Sequence, residues 1–170
     1  MRRIGLLSDT HGFVHPRTAE FFGSCDEIWH AGDIGNIATA DKLNAIKPLR
    51  AVHGNIDDAL VRQTYPAVLS FNCEDVKVLI THIGGYPGHY HAEAKRAIES
   101  QKPQLFISGH SHILKVQFDQ KYNLLHINPG AAGQSGWHKV ITFVRFTING
   151  NQITDLEVFE AERKISPTAG

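Results

Sequence analysis

Short apolar runs cut off by polar or glycine-containing breaks organise the first two-thirds of the chain, at residues 4–7, 28–29, 49–52, 76–80 and 105–107. Each has the length of a buried strand and is too short for a helix. Pro16 opens a helical stretch over residues 19–22 that stops near Gly23. Ile37, Ala40, Leu43 and Ile46 recur at helical spacing, which predicts a helix over 37–46 that Pro48 ends. This βαβαβ start implies parallel strands, so the segments ending at Asp9, Asp33 and Asn55 should be neighbours. After Pro66 the pattern turns mostly to strands. Residues 67–71 and 76–80 flank the polar turn Asn72-Cys73-Glu74-Asp75, and a helix over 92–100 precedes Pro103. Strands follow near Val116 and Leu125, then over 140–146 and 153–159, the last two joined by Asn149-Gly150. The expected architecture is α/β, with two packed sheets and flanking helices in one domain over 1–165 and a frayed tail over 166–170.

Composition removes several classes of function. Lys plus Arg number 17 and Asp plus Glu number 17, so no basic field draws nucleic acid or an anionic membrane surface. Cys25 and Cys73 stand far apart without Cys-x-x-Cys spacing, which fits neither a disulfide framework nor a thiolate zinc site. The start Met1-Arg2-Arg3 runs straight into a strand with no secretory apolar region, and no apolar stretch approaches a membrane span. A cytoplasmic protein is expected, with homo-oligomerisation left open.

The chemistry lies where the apolar runs stop. Asp9-Thr10-His11, Gly32-Asp33, Gly54-Asn55, His82 and Gly109-His110-Ser111-His112 follow one another, each just beyond a strand-like run. In open α/β sheets ligands bind beyond the carboxyl ends of the strands, so these groups converge on one site. Gly-Asp and Gly-Asn alone are ordinary turn dipeptides, and an isolated Asp-x-His is usually a turn. Their common position at strand ends carries the weight. Two divalent cations held side by side need a bridging anion, and Asp33 is the natural one. Asp9 and Asp33 supply two negative charges and the remaining donors are neutral, so a two-ion centre keeps a positive surplus suited to phosphate. Such a centre turns water into a metal-bound hydroxide near Asp33, the expected nucleophile on phosphorus. Imidazole and carboxylate donors suit manganese, iron, zinc, nickel or cobalt.

These blocks resemble the calcineurin-like metallophosphoesterases, whose pattern is Asp-x-His, Gly-Asp, Gly-Asn, a lone His and Gly-His-x-His, in the order seen here. The short chain and the Gly54-Asn55-Ile56-Asp57 block are similar to the small single-domain phosphodiesterase branch often called YfcE-like. The resemblance implies a four-layer αββα sandwich of two mixed sheets. It also implies that Asp9, His11 and His112 bind one metal and Asn55, His82 and His110 the other, with Asp33 between them and Asn55 also near substrate. Two Mn2+ ions and a small phosphoester, a diester or a monoester, are the implied cofactors and substrate. Many relatives carry a histidine after the asparagine, where this chain has Ile56, so the leaving-group acid is unassigned. Asp57 is the weak candidate, with a solvated loop carboxylate the slightly favoured reading. A different class shares the family's fold: the retromer subunit has lost part of the metal set and serves as a scaffold. The full set of seven ligand positions separates this chain from it, and the absence of a His-x-His-x-Asp-His block separates it from metallo-β-lactamase-like hydrolases.

His30, His53 and His126 lie in or beside apolar runs and read as hydrogen-bonded interior histidines. Tyr86, His89, Tyr90 and His91, in the loop after Gly84-Gly85, are candidates for a pocket wall, with exposed loop filler the equal alternative. In Asn128-Pro129-Gly130-Ala131-Ala132, backbone amides are available for an anion-binding nest. Trp137 and His138 remain unassigned.

Overall fold

The computed structural model describes residues 1–164 and places twelve strands and four helices in them. The expected frayed tail over 166–170 lies outside the described residues. In chain order the elements are β1 (Arg2–Leu7), α1 (Thr18–Phe21), β2 (Glu27–His30), α2 (Ile37–Ile46), β3 (Leu49–Ala51), α3 (Ala59–Thr64), β4 (Val68–Cys73) and β5 (Val76–Thr81). A small hairpin of β6 (Gly85–Tyr86) and β7 (His89–Tyr90) follows, then α4 (Ala92–Gln101), β8 (Leu105–Ile107), β9 (Leu114–Asp119), β10 (Leu124–Pro129), β11 (Val140–Asn149) and β12 (Gln152–Glu162).

Two five-stranded sheets, ordered β12-β11-β1-β2-β3 and β4-β5-β8-β10-β9, form the middle of the molecule. Both are mixed. In the first, β1, β2 and β3 pair in parallel, as the βαβαβ pattern required, while β11 runs antiparallel to β1. In the second, β8 lies parallel to both β5 and β10.

Alternation along the strands sorts side chains onto two faces. Ile4, Leu6, Trp29 and Phe146 from the first sheet meet Val78, Ile80, Ile107 and Ile127 from the second, all fully buried. The opposite face of the first sheet packs Leu7, Ile28 and Phe143 with Phe22 and with Leu43 of α2. The outer face of the second buries Leu79, Phe106 and Leu124 against Ala94 and Ile98 of α4. Helix, sheet, sheet and helix therefore stack in four layers, the expected αββα sandwich. No helix among the described residues is long and apolar enough to cross a membrane.

Local signals set the helix ends. The Asn36 side chain accepts from Thr39 N at 2.8 Å to cap α2, and Lys47 before Pro48 ends it in extended backbone. Two turns differ from expectation, one in length and one in position. Asn72 and Cys73 belong to β4, leaving Glu74-Asp75 as a two-residue turn with Glu74 at φ +51. Asn149 pairs with Gln152, so the last hairpin turns at Gly150-Asn151 and not at Asn149-Gly150.

Candidate metal centre

Loops leaving β1, β2, β3, β5 and β8 carry Asp9 and His11, Asp33, Asn55, His82, and His110 and His112 to one place between the sheets' ends. Backbone hydrogen bonds lock these loops together: Asp9 N to Gly32 O at 2.9 Å, His11 N to Asp33 O at 3.0 Å, and Gly109 N to His82 O at 2.9 Å. Five of the site residues, Asp9, His11, Asp33, His110 and His112, have left-handed backbone with φ between 46 and 70. Side chains other than glycine, Asn and Asp rarely adopt that region, and holding them there costs of order 1 kcal/mol or more each. Gly32, at φ +100, lets the chain pass close to His82, where a Cβ would lie 2.6 Å from His82 Nδ1.

Each carboxylate has one oxygen anchored and one aimed inward. Asp9 Oδ2 accepts from Ser8 Oγ at 2.6 Å and from His110 N at 3.1 Å. Its Oδ1 faces His112 Nε2 at 3.2 Å, His11 Nε2 at 3.8 Å and His82 Nε2 at 3.9 Å. Asp33 Oδ1 accepts from Ile56 N at 3.1 Å, while Oδ2 lies 3.4 Å from His11 Nε2 and 3.2 Å from His82 Nε2. Two triads result, Asp9 with His11 and His112, and Asp33 with His82 and His110, each with its donor atoms within 4.8 Å of one another. Asn55, the seventh residue, meets the second triad through Oδ1, 3.1 Å from His110 Nδ1. All seven residues singled out in the sequence are thus brought together.

The tautomers fit a cation. His82 Nδ1 donates to Ala31 O at 2.8 Å, so in the neutral ring the Nε2 lone pair points at the Asp33 carboxylate. His82 Nε2 and His11 Nε2 are buried without a hydrogen-bond partner. Lone pairs facing a carboxylate oxygen repel unless a positive charge sits between them. In the metal-free protein a proton takes that role. Burial alone would raise the Asp9 carboxyl, but the His11 and His112 imidazoles beside it overcome that and hold the group far below the usual carboxylate range. Burial is likewise overridden at Asp33, by His11 and His82. The nearby Asp33 and Asp9 carboxylates push the His11 imidazole up to about 9. Burial lowers His82, yet Asp33 leaves it raised, whereas burial and the neighbouring His82 lower His110.

Supporting residues were legible to different degrees. His30 is fully buried: Gly32 N donates to its Nδ1 at 3.0 Å, so Nε2 donates to Thr10 Oγ1 at 2.9 Å, and the Thr10 hydroxyl in turn donates to Ile34 O at 2.9 Å. That chain ties the Asp9 loop to the Asp33 loop, the interior role expected of His30. His53 Nδ1 likewise donates to Tyr65 O at 2.8 Å.

Asp57 corrects both readings made from sequence. It is 4% exposed and accepts from Ile34 N at 3.2 Å, Gly35 N at 2.8 Å and Gly54 N at 2.8 Å. A carboxylate so committed is neither a solvated loop group nor a free proton donor; it joins the Asp33 and Asn55 loops. Arg62 on α3, missed from sequence, clamps the same segment by donating to Asp57 O, Gly54 O and Asn55 O. The expected anion nest also fails, because Gly130 N donates to Asn128 Oδ1, and Ala132 N and Gly133 N bond to Ser8 O and Asp9 O. Of the loop aromatics, Tyr86, His89 and His91 line a cavity beside the centre, while Tyr90 turns inward to donate to Asp119 at 2.7 Å. Trp137 is 99% exposed, and His138 Nε2 donates to Gly133 O.

The sequence profile of the Calcineurin-like phosphoesterase superfamily domain matches residues 1–151. The chain belongs to this superfamily, whose members are metal-dependent phosphoesterases. A relative from Methanothermobacter thermautotrophicus described as a probable metallophosphoesterase is 27% identical over 135 residues, covering 75% of this chain and 76% of that one. Among solved structures, Vps29 from Chaetomium thermophilum matches with a TM-score of 0.74 at 14% identity, over 96% of this chain and all of that one. Vps29 from Entamoeba histolytica, solved with bound zinc, gives 0.72 at 16% identity, over 95% of this chain and 99% of that one. A Streptococcus pneumoniae protein described as a predicted phosphoesterase gives 0.66 at 20% identity, over 98% of this chain and 94% of that one. These structural likenesses concern the fold.

Proposed function

We propose that the protein is a phosphodiesterase with two divalent metal ions, Asp9, His11 and His112 holding one, and Asn55, His82 and His110 the other. The observation that carries this reading is Asp33 Oδ2, which lies 3.4 Å from His11 Nε2 and 3.2 Å from His82 Nε2, two buried ring nitrogens of the two groups that have no hydrogen-bond partner. That is the place of a bridging ligand. When bound, the ions supply positive charge to the phosphate oxygens and make water a nucleophile near neutral pH.

The chain's own groups then divide the work. Anchoring of Asp9 Oδ2 and Asp33 Oδ1 to neighbouring hydroxyl and amide groups fixes where the opposite oxygens point, so the site needs little reorganisation on loading. Exposed Asn55 and His110 stand at the solvent side of the pair, where a phosphate arrives. With Ile56 exposed after Asn55 and Asp57 tied to three amides, neither of these two positions supplies a side chain to protonate a leaving group. Diesters with good leaving groups are therefore the favoured substrates, and monoesters of poor leaving groups the slow ones. Nitrogen and oxygen donors without thiolate suit manganese, iron, zinc, nickel or cobalt, and the family resemblance puts manganese first. The absence of a disulfide among the described residues, with Cys25 and Cys73 free, supports a cytoplasmic setting.

The test is hydrolysis of bis(nitrophenyl) phosphate by purified protein with added Mn2+. Turnover should depend on metal and vanish in Asp33→Ala and His110→Ala. The scaffold alternative predicts no turnover in any of the three proteins.

A further inference from the structure

A cavity of about 590 Å³ adjoins the candidate centre, and His110 is part of its wall along with Tyr86, His89, Ile113, Lys115 and His126. A phosphate held at the centre therefore has this cavity beside one of its ester arms. The outer wall is aromatic and cationic. The Tyr86 and His89 rings lie 4.9 Å apart, and Lys115 Nζ stands 4.4 Å from the Tyr86 ring centroid. Tyr86 is 43% exposed, and with Lys115 over its ring it offers a planar ligand an aromatic and cationic contact.

The inner wall holds an unanswered acceptor. His126 is fully buried on β10, its ring stacked on Phe106 at 5.3 Å. Its Nδ1 lies 3.2 Å from Phe106 O, and because a carbonyl can only accept, Nδ1 carries the proton. Nε2 is then a bare acceptor, and it has no partner. Burial pushes this imidazole down to about 4, which keeps it neutral and accepting at ordinary pH. Ser108 Oγ is also buried and unpartnered. It lies on the same face of the sheet, two residues after Phe106, against Gly84 of the cavity wall, where an added Cβ would come within 2.9 Å of Ser108 Oγ. Native interiors rarely leave buried polar atoms such as these unsatisfied unless a ligand or water answers them.

We propose that this cavity binds the organic arm of a phosphoester and selects a flat ring carrying an N–H or O–H donor, as a nucleoside does. The ring stacks on Tyr86 and His89, and its donor reaches His126 Nε2 directly or across one water shared with Ser108 Oγ. The inference deepens the phosphodiesterase reading and rests on it only for the phosphate end. His126 is a specificity-determining group under this assignment and takes no part in bond breaking.

Binding to the metal-free protein separates the two claims. Adenosine 5′-monophosphate and phenyl phosphate share a phosphate and a flat ring, and only the first offers ring donors. The adenosine compound should bind about tenfold tighter, the worth of one buried hydrogen bond, and shift the 15N resonance of His126 Nε2. His126→Phe should erase the preference, and His126→Gln, which restores an acceptor, should recover part of it. With Mn2+ present, the nitrophenyl diester of the adenosine compound should show about tenfold higher kcat/KM than phenyl nitrophenyl phosphate, the gain residing in KM. Equal affinities, an unmoved His126 resonance, or a preference that survives His126→Phe would overturn the subsite. An intact adenosine preference without turnover of either diester would uphold the subsite and overturn the phosphodiesterase reading.

Discussion

Replacing Asp57 by alanine would strand the amides of Ile34, Gly35 and Gly54, which now bond its two oxygens at 2.8–3.2 Å. Hydrogen bonds to a charged acceptor contribute about 1.5–3 kcal/mol each, and a buried donor left alone pays its full desolvation cost. Gly35 N is partly exposed and recovers some of that from water. The expected loss is about 4 kcal/mol for Asp57→Ala. For Asp57→Asn it is about 2 kcal/mol, because one carboxamide oxygen still serves the two amides on Oδ2 while the new NH2 opposes the third. Urea unfolding followed by tryptophan fluorescence measures it well, since Trp29 is wholly buried and Trp137 is 99% exposed, so the signal change reports Trp29. With a urea slope of about 2 kcal/mol/M, the alanine midpoint should fall by about 2 M. The asparagine variant should fold and show weakened metal binding at the Asn55 side. A loss below about 1 kcal/mol in Asp57→Ala would refute the tie between the loops. If Asp57 were instead the leaving-group acid, the asparagine variant would keep full stability and lose turnover only for poor leaving groups.

Acid should destabilise the fold through His30 and His126, whose pKa burial pushes down to about 4. Their unfolded imidazoles take a proton below about 6.5 and the buried ones refuse it, so stability is complete above pH 6.5 and lost as pH falls toward 4, by about 3 kcal/mol each; denaturation midpoints across that range check it. His11 carries the opposite sign in the metal-free protein: its pairing with Asp33 and Asp9 stabilises fully below pH 6.5 and is lost as pH rises through about 9. Metal displaces that proton, so calorimetric metal affinity should climb with pH over the same window and level off above it. Gly35→Ala should fail to fold stably, because the backbone sits at φ +108 and a Cβ would lie 2.3 Å from Gly12 N; a thermal midpoint near wild type would contradict that close approach.

The strand-ending blocks were legible because burial and chemistry alternate abruptly there. Ile4 to Leu7 must be apolar to sit between layers, and Asp9 follows as soon as the chain clears the sheet, so the boundary itself marks the site. The same logic exposed β2 with Asp33 and β8 with His110. Helix α3 escaped because six residues give too little periodicity, although Asp58, whose side chain accepts from Val61 N at 3.0 Å, is a capping signal that would have found it. Asp57 was misread because a carboxylate two residues after Asn55 looks like loop filler. Its burial depends on Ile34 and Gly35, more than twenty positions upstream in the chain, which no local pattern records. The left-handed backbone of His110 and His112 was likewise invisible, since only the surrounding loops hold it.

Anomalous scattering from a crystal grown with Mn2+ tests the central claim most directly. The account predicts two peaks, one within Asp9, His11 and His112 and one within Asn55, His82 and His110, both in contact with Asp33. A fully ordered site with one peak, or with none among these seven side chains, would contradict it.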